Sequence, residues 1–584
     1  VSMRFRDNMI CVICGLMAVA CLVAASMRLD GIHQARKDMN LVSNEPLENA
    51  PPSLAFATVA MGAFRGLVVD ILWMRADKLK EDGQFFDAKQ LAEWITVLQP
   101  RFAAVWDFHG WNMAYNISVA VPNTQPEERW RWVRNGYELI RDKGLEKNPH
   151  SIILYRSLAW IFQHKISGVA DDCHMYYKRE LALAMRPLLG DKTKAEFADL
   201  AAAPYTIREL AADPEVAKLI NELKQSDPGF ADEGRMVRNY LSLRENPARF
   251  APQAHEVINR WRQTPALRTF DVFARAHQLR NVWKLDTDLM VRLNERYGPT
   301  TPNDPNDHGP LNWEHPDVHA IYWAQKGLDM ASKPGTYSID EKNTDRIIFH
   351  SLQNLYRTGR LITYDLPDQG PAVFVRPDLA MFDTCNQEWI NRIEKYEELE
   401  GGNPKAVRGG HRNLLINAIL MFYQGGQQAK AASILAELRR RYPEENYTPS
   451  LVSFVRRRVA EEMDRVSGKD ATELILMSLR EAYFRFAVRD DNEASGREKW
   501  AREIYDIYQT DMADGARTAL PQFDLIRYLA LRDFMEDPFY PDDLKVRLMG
   551  RIKLDRPDLF EKLIEQEDVF KRLVEQNQAQ TSGS

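Results

Sequence analysis

The stretch that decides the fold reads KEDGQFFDAKQLAEWITVLQP, from Lys80 to Pro100. It contains Gly83, Ala88 and Pro100, and the same residue types return at the same intervals as Gly426, Ala431 and Pro443. Internal repetition of this kind marks arrays of supersecondary units. The surrounding sequence points to helices. There is no series of Asn-Gly hairpins and no sustained apolar–polar alternation. Asp213-Pro214, by contrast, sets a capping side chain before a Pro at the first helical position. Leu219, Ile220 and Leu223 then follow on one helical face. The expected fold class is all-α.

The Lys80–Pro100 stretch resembles the second half of a tetratricopeptide (TPR) unit. In that register Gly83 makes the turn, Ala88 sits at the closest helix crossing and Pro100 ends the second helix. Val69, Leu72, Ala76 and Leu79 then occupy positions 1, 4, 8 and 11. The next unit starts at Ala103, with Trp106, His109, Gly110 and Met113 meeting the pattern W-x2-L-G-x2-Y as W-x2-H-G-x2-M. Its second helix carries an insertion, since its terminal Pro is Pro149. A third unit starts at Ile152, with Tyr155, Leu158, Ala159 and Phe162 in register. A fourth runs from Arg412 to Pro443, with Leu415, Ala418 and Phe422 in place and an oversized Ile419 at position 8. The resemblance implies a TPR-like α-solenoid of helical hairpins. The chain as a whole also resembles a group of bacterial membrane-anchored TPR-like proteins. The residues that carry this are Phe64-Arg65-Gly66-Leu67, Leu72-Trp73-Met74-Arg75-Ala76, Ala114-Tyr115-Asn116 and His319-Ala320-Ile321-Tyr322-Trp323. That likeness brings an architecture and no activity.

In the TPR family the first helix of each unit lines a concave groove through positions 2, 5, 9 and 12. Carried onto this chain, the first unit presents Asp70, Trp73, Asp77 and Lys80. The second presents Ala104, Asp107, Trp111 and Ala114, and the third Ile153, Arg156, Trp160 and Gln163. The resemblance therefore implies a partner-binding surface of Trp73, Asp77, Asp107, Trp111, Arg156 and Trp160. Rigid aromatics bury area at low entropic cost, and flanking charges fix orientation. The competing reading buries Trp111 and Trp160 under an adjoining helix of the same chain.

A net charge of −6 over 584 residues gives no electrostatic case for nucleic acid. With 45% hydrophobic and 27% charged residues, the chain is not broadly disordered. Met9 to Met27 carries no charge and is just long enough to cross a bilayer, with Arg4 and Arg6 before it. A cleaved signal ending near Ala24-Ala25-Ser26 and a loose lipoprotein box at Ala18–Cys21 compete with an uncleaved anchor. The anchor is the preferred reading: one N-terminal transmembrane helix in a cell inner membrane, with the body on the periplasmic side. The expected divisions are an anchor or signal segment at 1–39 and TPR-like repeats at 40–190. An irregular helical region follows at 191–400, with a Pro-rich loop at 297–316. A C-terminal TPR-like region spans 401–575 and a disordered tail 576–584. Leu366–Pro377 and Glu400–Gly410 read as boundaries or surface loops. Gly62 and Gly66 form a G-x-x-x-G expected to pack tightly against a neighbour.

Catalytic motifs are missing: there is no P-loop, Rossmann fingerprint, nucleophile elbow, C-x-x-C-H or H-E-x-x-H. Of five cysteines, Cys11, Cys14 and Cys21 lie in the apolar run, and Cys173 and Cys385 make no disulfide framework. The richest polar cluster is Asp304, Asp307, His308, Glu314, His315, Asp317 and His319. Its start resembles an EF-hand loop, which fails because His315 stands where a bidentate Glu is needed. His315 and His319 have a zinc-like spacing, but Pro316 places His315 at a helix cap, and a His/Trp cluster buttressing a loop is the plainer reading. Asp171-Asp172-Cys173-His174 reads as a solvated turn. No cofactor or metal is expected. The functional expectation is a scaffold that holds protein partners and not an enzyme. The alternatives are a structural subunit of a larger membrane complex, or a helical enzyme or ligand-binding protein using residues 304–323.

Overall fold

The computed structural model describes residues 65–581, apart from Asn246, Phe539 and residues 302–303, 332–337, 367–369, 401–403, 464–466 and 512–519, together with Met17 and Gly31. It divides into two compact units: Val1–Leu158 with Met330–Ser332, and the remainder. The expected anchor, the 40–53 linker and Gly62 lie outside the described residues. Among the described residues, no helix is long and apolar enough to cross a membrane.

In the first unit, α1 (Arg65–Glu81) and α2 (Phe85–Leu98) form a helical hairpin. Helix α3 (Ala103–Trp111) continues through a π-helical turn, Asn112–Ile117, to Ala120. Helix α4 (Pro126–Glu138) continues likewise through Leu139–Gly144 to Lys147. Helix α5 (Ile152–Trp160) spans the unit boundary after Leu158 and leads into a third π-helical turn, Ile161–Ile166, of the second unit. A π turn accommodates extra residues within a helix. The insertion expected only in the second helix of this hairpin is therefore shared between α3 and α4. The two helices touch at glycines: a Cβ on Gly110 would meet Ile140 at 2.5 Å, and one on Gly136 would meet the Gly110 carbonyl at 2.7 Å. Val69, Ala76, Ala88, Trp106, Met113, Tyr155 and Leu158 are all buried. The carbonyl of Pro100 accepts from the Trp106 indole (2.7 Å) and the Asn148 amide (3.0 Å), joining the ends of successive hairpins.

After that turn the second unit continues with α6 (His174–Leu189), α7 (Lys194–Ala202), α8 (Ile207–Leu210), α9 (Pro214–Ser226) and α10 (Glu233–Glu245). It goes on through α11 (Pro252–Trp261), α12 (Pro265–Asn281) and α13 (Thr287–Tyr297). Strands β1 (Thr300–Thr301) and β2 (Asp304–His308) pair antiparallel before α14 (Pro316–Ala331) and α15 (Ile339–Thr358). A second antiparallel pair, β3 (Arg360–Leu366) and β4 (Gly370–Arg376), leads to α16 (Phe382–Glu400), α17 (Lys405–Gln424) and α18 (Gln428–Arg441). The chain ends with α19 (Leu451–Met463), α20 (Gly468–Ala487), α21 (Asp491–Asp511), α22 (Phe523–Glu536), α23 (Asp542–Asp555) and α24 (Pro557–Thr581). Asp213 caps α9 as expected, accepting from Glu215 N at 2.9 Å.

Three hairpins share one turn. In α1–α2, Gly83 has φ +76°, its N–H donates to Lys80 O, Gln84 N to Leu79 O, and Ala88 N to Gln84 O. In α17–α18, Gly426 also has φ +76°, and Gly426, Gln427 and Ala431 repeat those three bonds. In α20–α21 the same bonds recur from Arg489, Asp490 and Ala494, with Arg489 in the left-handed region at φ +66°. This is a Schellman closure, in which a left-handed residue lets two N–H groups reach back to the orphan carbonyls of the preceding helix.

Several expectations change. The all-α class holds at the level of a helical chain with two small hairpins. Leu366–Pro377 is not a plain loop, because Gly370–Arg376 pairs residue for residue with Arg360–Leu366. Its Pro371 is tolerated since both strands of a two-stranded sheet are edges. Glu400–Gly410 is not wholly a boundary either. Gly410 lies inside α17, where a Cβ would strike the Trp389 ring at 2.5 Å. Among the described residues, a Cβ on Gly66 would have no neighbour within 4 Å. Helix α24 runs to Thr581, into the segment expected as a disordered tail, and its Gln and Ala residues are good helix formers.

Candidate partner surface and a buried polar centre

The implied surface residues fall into clusters. On α1, the Trp73 ring lies against Phe102 and Phe108, with centroids at 5.6 and 5.1 Å. Lys80 Nζ stands 5.4 Å over the Phe108 ring and 3.5 Å from Asp77. Asp107 on α3 is held by the Ser157 side chain and by the charge of Arg156 on α5. Burial nevertheless raises its carboxyl above the ordinary carboxylate value. Trp111 is 38% exposed and stacks on Tyr115, centroids 4.0 Å apart and planes 17° apart. Five of the six residues thus lie in the first unit, on a surface that runs from α1 through α3 to α5. Trp160 belongs to the second unit, where it is half-buried and stacked on His164 at 4.9 Å. Phe102, Phe108 and Tyr115 escaped the sequence reading. Tyr115 had a visible signal, because it stands four residues after Trp111 on one helix face. Phe102 and Phe108 had none.

The second unit holds a polar centre that the sequence reading misjudged in part. Asp171 is buried, not solvated: it accepts from Lys165 Nζ at 2.5 Å, Cys173 N at 2.9 Å and the Tyr177 hydroxyl at 3.2 Å. Glu314, His315, Asp317 and His319 are also buried. Asp317 accepts from Ser167 and from Asn354 Nδ2 (3.1 Å), while burial pushes its carboxyl up to about 6. Lys178 Nζ lies 2.9 Å from His174 Nδ1 and 3.3 Å from Gly168 O. Burial lowers the Lys178 amine to about 8, against the attraction of Asp317. His315 Nδ1 accepts from Asp317 N at 3.2 Å, and burial holds the imidazole neutral, lowering it to about 3. His319 Nε2 meets the Trp313 carbonyl at 3.0 Å, and its ring stacks on Phe162. Glu314 is gripped by Arg186 (3.1 Å) and Lys192 (2.6 Å). Glu314 thus fastens the 309–315 loop to Arg186 on α6 and to Lys192 beyond it, and Asp317 ties the start of α14 to Asn354 on α15, which is buttressing chemistry. Among the described residues, no three His, Cys, Asp or Glu side chains are grouped as metal ligands. No family model matches the chain, and no curated protein matches it either.

Proposed function

We propose that the chain is a membrane-anchored, TPR-like helical scaffold that holds protein partners at the cell envelope. A solenoid of hairpins is supported by the turn shared by α1–α2, α17–α18 and α20–α21. The observation that carries the binding reading is the Trp111 ring, open to solvent and stacked on the half-buried Tyr115, beside Asp107 and the charge of Arg156. An exposed ring held by such a stack is already ordered, so a partner that covers it gains area at little entropic cost. Trp160, half-buried and stacked on His164, is the remaining candidate. A catalytic role for residues 304–323 has less behind it, since Glu314, His315, Asp317 and His319 are closed off from solvent.

The test is photo-crosslinking from position 115 in native membranes, followed by purification of the full-length chain. A discrete crosslinked protein is expected. Trp111→Ala should weaken its retention by roughly 30-fold, the equivalent of a hot-spot loss of about 2 kcal/mol. Undiminished retention in Trp111→Ala and Trp73→Ala would refute the binding surface. A stoichiometric companion that survives both substitutions would instead favour the structural-subunit reading.

A further inference from the structure

One face of α1 is apolar where water should meet it. Leu67, Ile71 and Met74 are 57%, 53% and 64% exposed, on the side opposite the buried Val69 and Ala76. At roughly 100° per residue these three and Lys78 fall within an arc of about 60°. Arg75 flanks the arc on one side and Asp70 on the other, and both are exposed. The groove residues Trp73 and Asp77 lie about a quarter turn or more away, beyond Asp70. The stripe is therefore separate from the candidate partner surface.

Sequence position argues for what covers it. Residues 54–64, just before α1, carry no charge, and the uncharged run Met9–Met27 lies upstream. Only residues 28–64 separate that run from α1, so an anchored chain keeps α1 within reach of the bilayer. A helix tethered so closely meets the membrane surface at high effective concentration. An exposed apolar stripe that carries Lys78 and is flanked by Arg75 on one side suits a helix lying in the headgroup region with that side ~5–10 Å deep, its other face packed on the protein.

We infer that α1 lies on the lipid bilayer, with Leu67, Ile71 and Met74 in the headgroup–acyl boundary and Arg75 and Lys78 among the phosphates. This rests on the anchor reading of Met9–Met27. It sets the orientation of the first unit, because the stripe faces lipid while Trp73 and Asp77 stay clear of it.

The experiment uses the full-length chain in vesicles of phosphatidylethanolamine and phosphatidylglycerol, with no other protein present. Cys11, Cys14 and Cys21 are changed to Ser, and Cys173 and Cys385 are buried, so a bimane label goes to one introduced site. Sites are Leu67→Cys, Ile71→Cys and Met74→Cys, with the exposed Glu127→Cys on α4 as control. Labels on the stripe should be quenched by spin-labelled lipid at least twice as strongly as the control, and shielded from aqueous iodide. Stripe labels that behave like the Glu127 site overturn the inference. Alkaline carbonate extraction of the same vesicles tests the anchor separately. A chain that resists extraction but keeps its stripe labels in water sinks the inference alone. A chain that is extracted sinks the anchor, and the stripe labels still decide whether α1 touches lipid.

Discussion

His109→Leu should make the protein more stable and less sensitive to acid. His109 stands on α3 at a buried position, only 3% exposed, and neither ring nitrogen has a protein hydrogen-bond partner. A neutral imidazole always carries one N–H, and an unsatisfied buried donor costs about 1–3 kcal/mol. Leu, the TPR consensus residue there, removes that cost, so a gain in this range is expected at pH 7.5. The acid term adds to it. Burial lowers the His109 imidazole from 6.5 to about 4. The unfolded chain thus takes up the proton first as pH falls, and stability present above 6.5 is lost on the way down to 4. Between pH 7.5 and 5 this linkage amounts to about 2 kcal/mol. His315 and His411, lowered to about 3 and about 4, add losses of the same sign that survive the substitution. His411 differs in having both nitrogens engaged, by Tyr442 (2.8 Å) and Asn386 (2.7 Å), so His411→Leu should destabilise. Urea denaturation of wild type and His109→Leu at both pH values measures the two effects. Hydrogen exchange at each imidazole C2, read by mass spectrometry, locates the titration. The reasoning is refuted if His109 titrates near 6.5, or if His109→Leu loses stability at pH 7.5.

Three other substitutions test the packing and the charges. Arg489→Gly should stabilise by roughly 0.5–1 kcal/mol, since the left-handed conformation strains an L side chain and suits Gly, and thermal unfolding would show it. Gly110→Ala or Gly136→Ala should destabilise by about 1–3 kcal/mol because each Cβ has contacts under 3 Å. Gly66→Ala, with open space around it, should be neutral or gain up to about 1 kcal/mol of helix propensity, and urea midpoints separate the two cases. Asp317→Asn should raise stability more at pH 7.5 than at pH 5. The folded carboxyl titrates at about 6, above its unfolded value of 3.8, so its ionised form weakens the fold above that range. An equal effect at both pH values in denaturant titrations would count against the assignment.

What the sequence made legible was local. Gly83, Gly426, Ala88 and Ala431 reveal themselves because a left-handed turn and a close crossing restrict residue type at one position. Arg489 defeats the same logic: it accepts the conformation Gly would take, so in the α20–α21 hairpin only Ala494 keeps the spacing. Gly410 was legible as glycine but not as packing, because the Trp389 ring that demands it comes from another helix. The candidate surface shows the same division. Register arithmetic put Asp107 and Arg156 on one side of their helices. Whether they meet depends on how α3 and α5 cross, and Ser157 completes the contact from a position the register does not reserve for the groove. Asp171 looked solvated because carboxylates usually are, and nothing around Glu314 showed what would hold it. Asp171 is buried through Lys165, six residues back in a π-helical turn, and Glu314 through Arg186 and Lys192, more than a hundred residues away. A buried charge is decided by its partner, and a partner distant in sequence cannot be read from the residues around it.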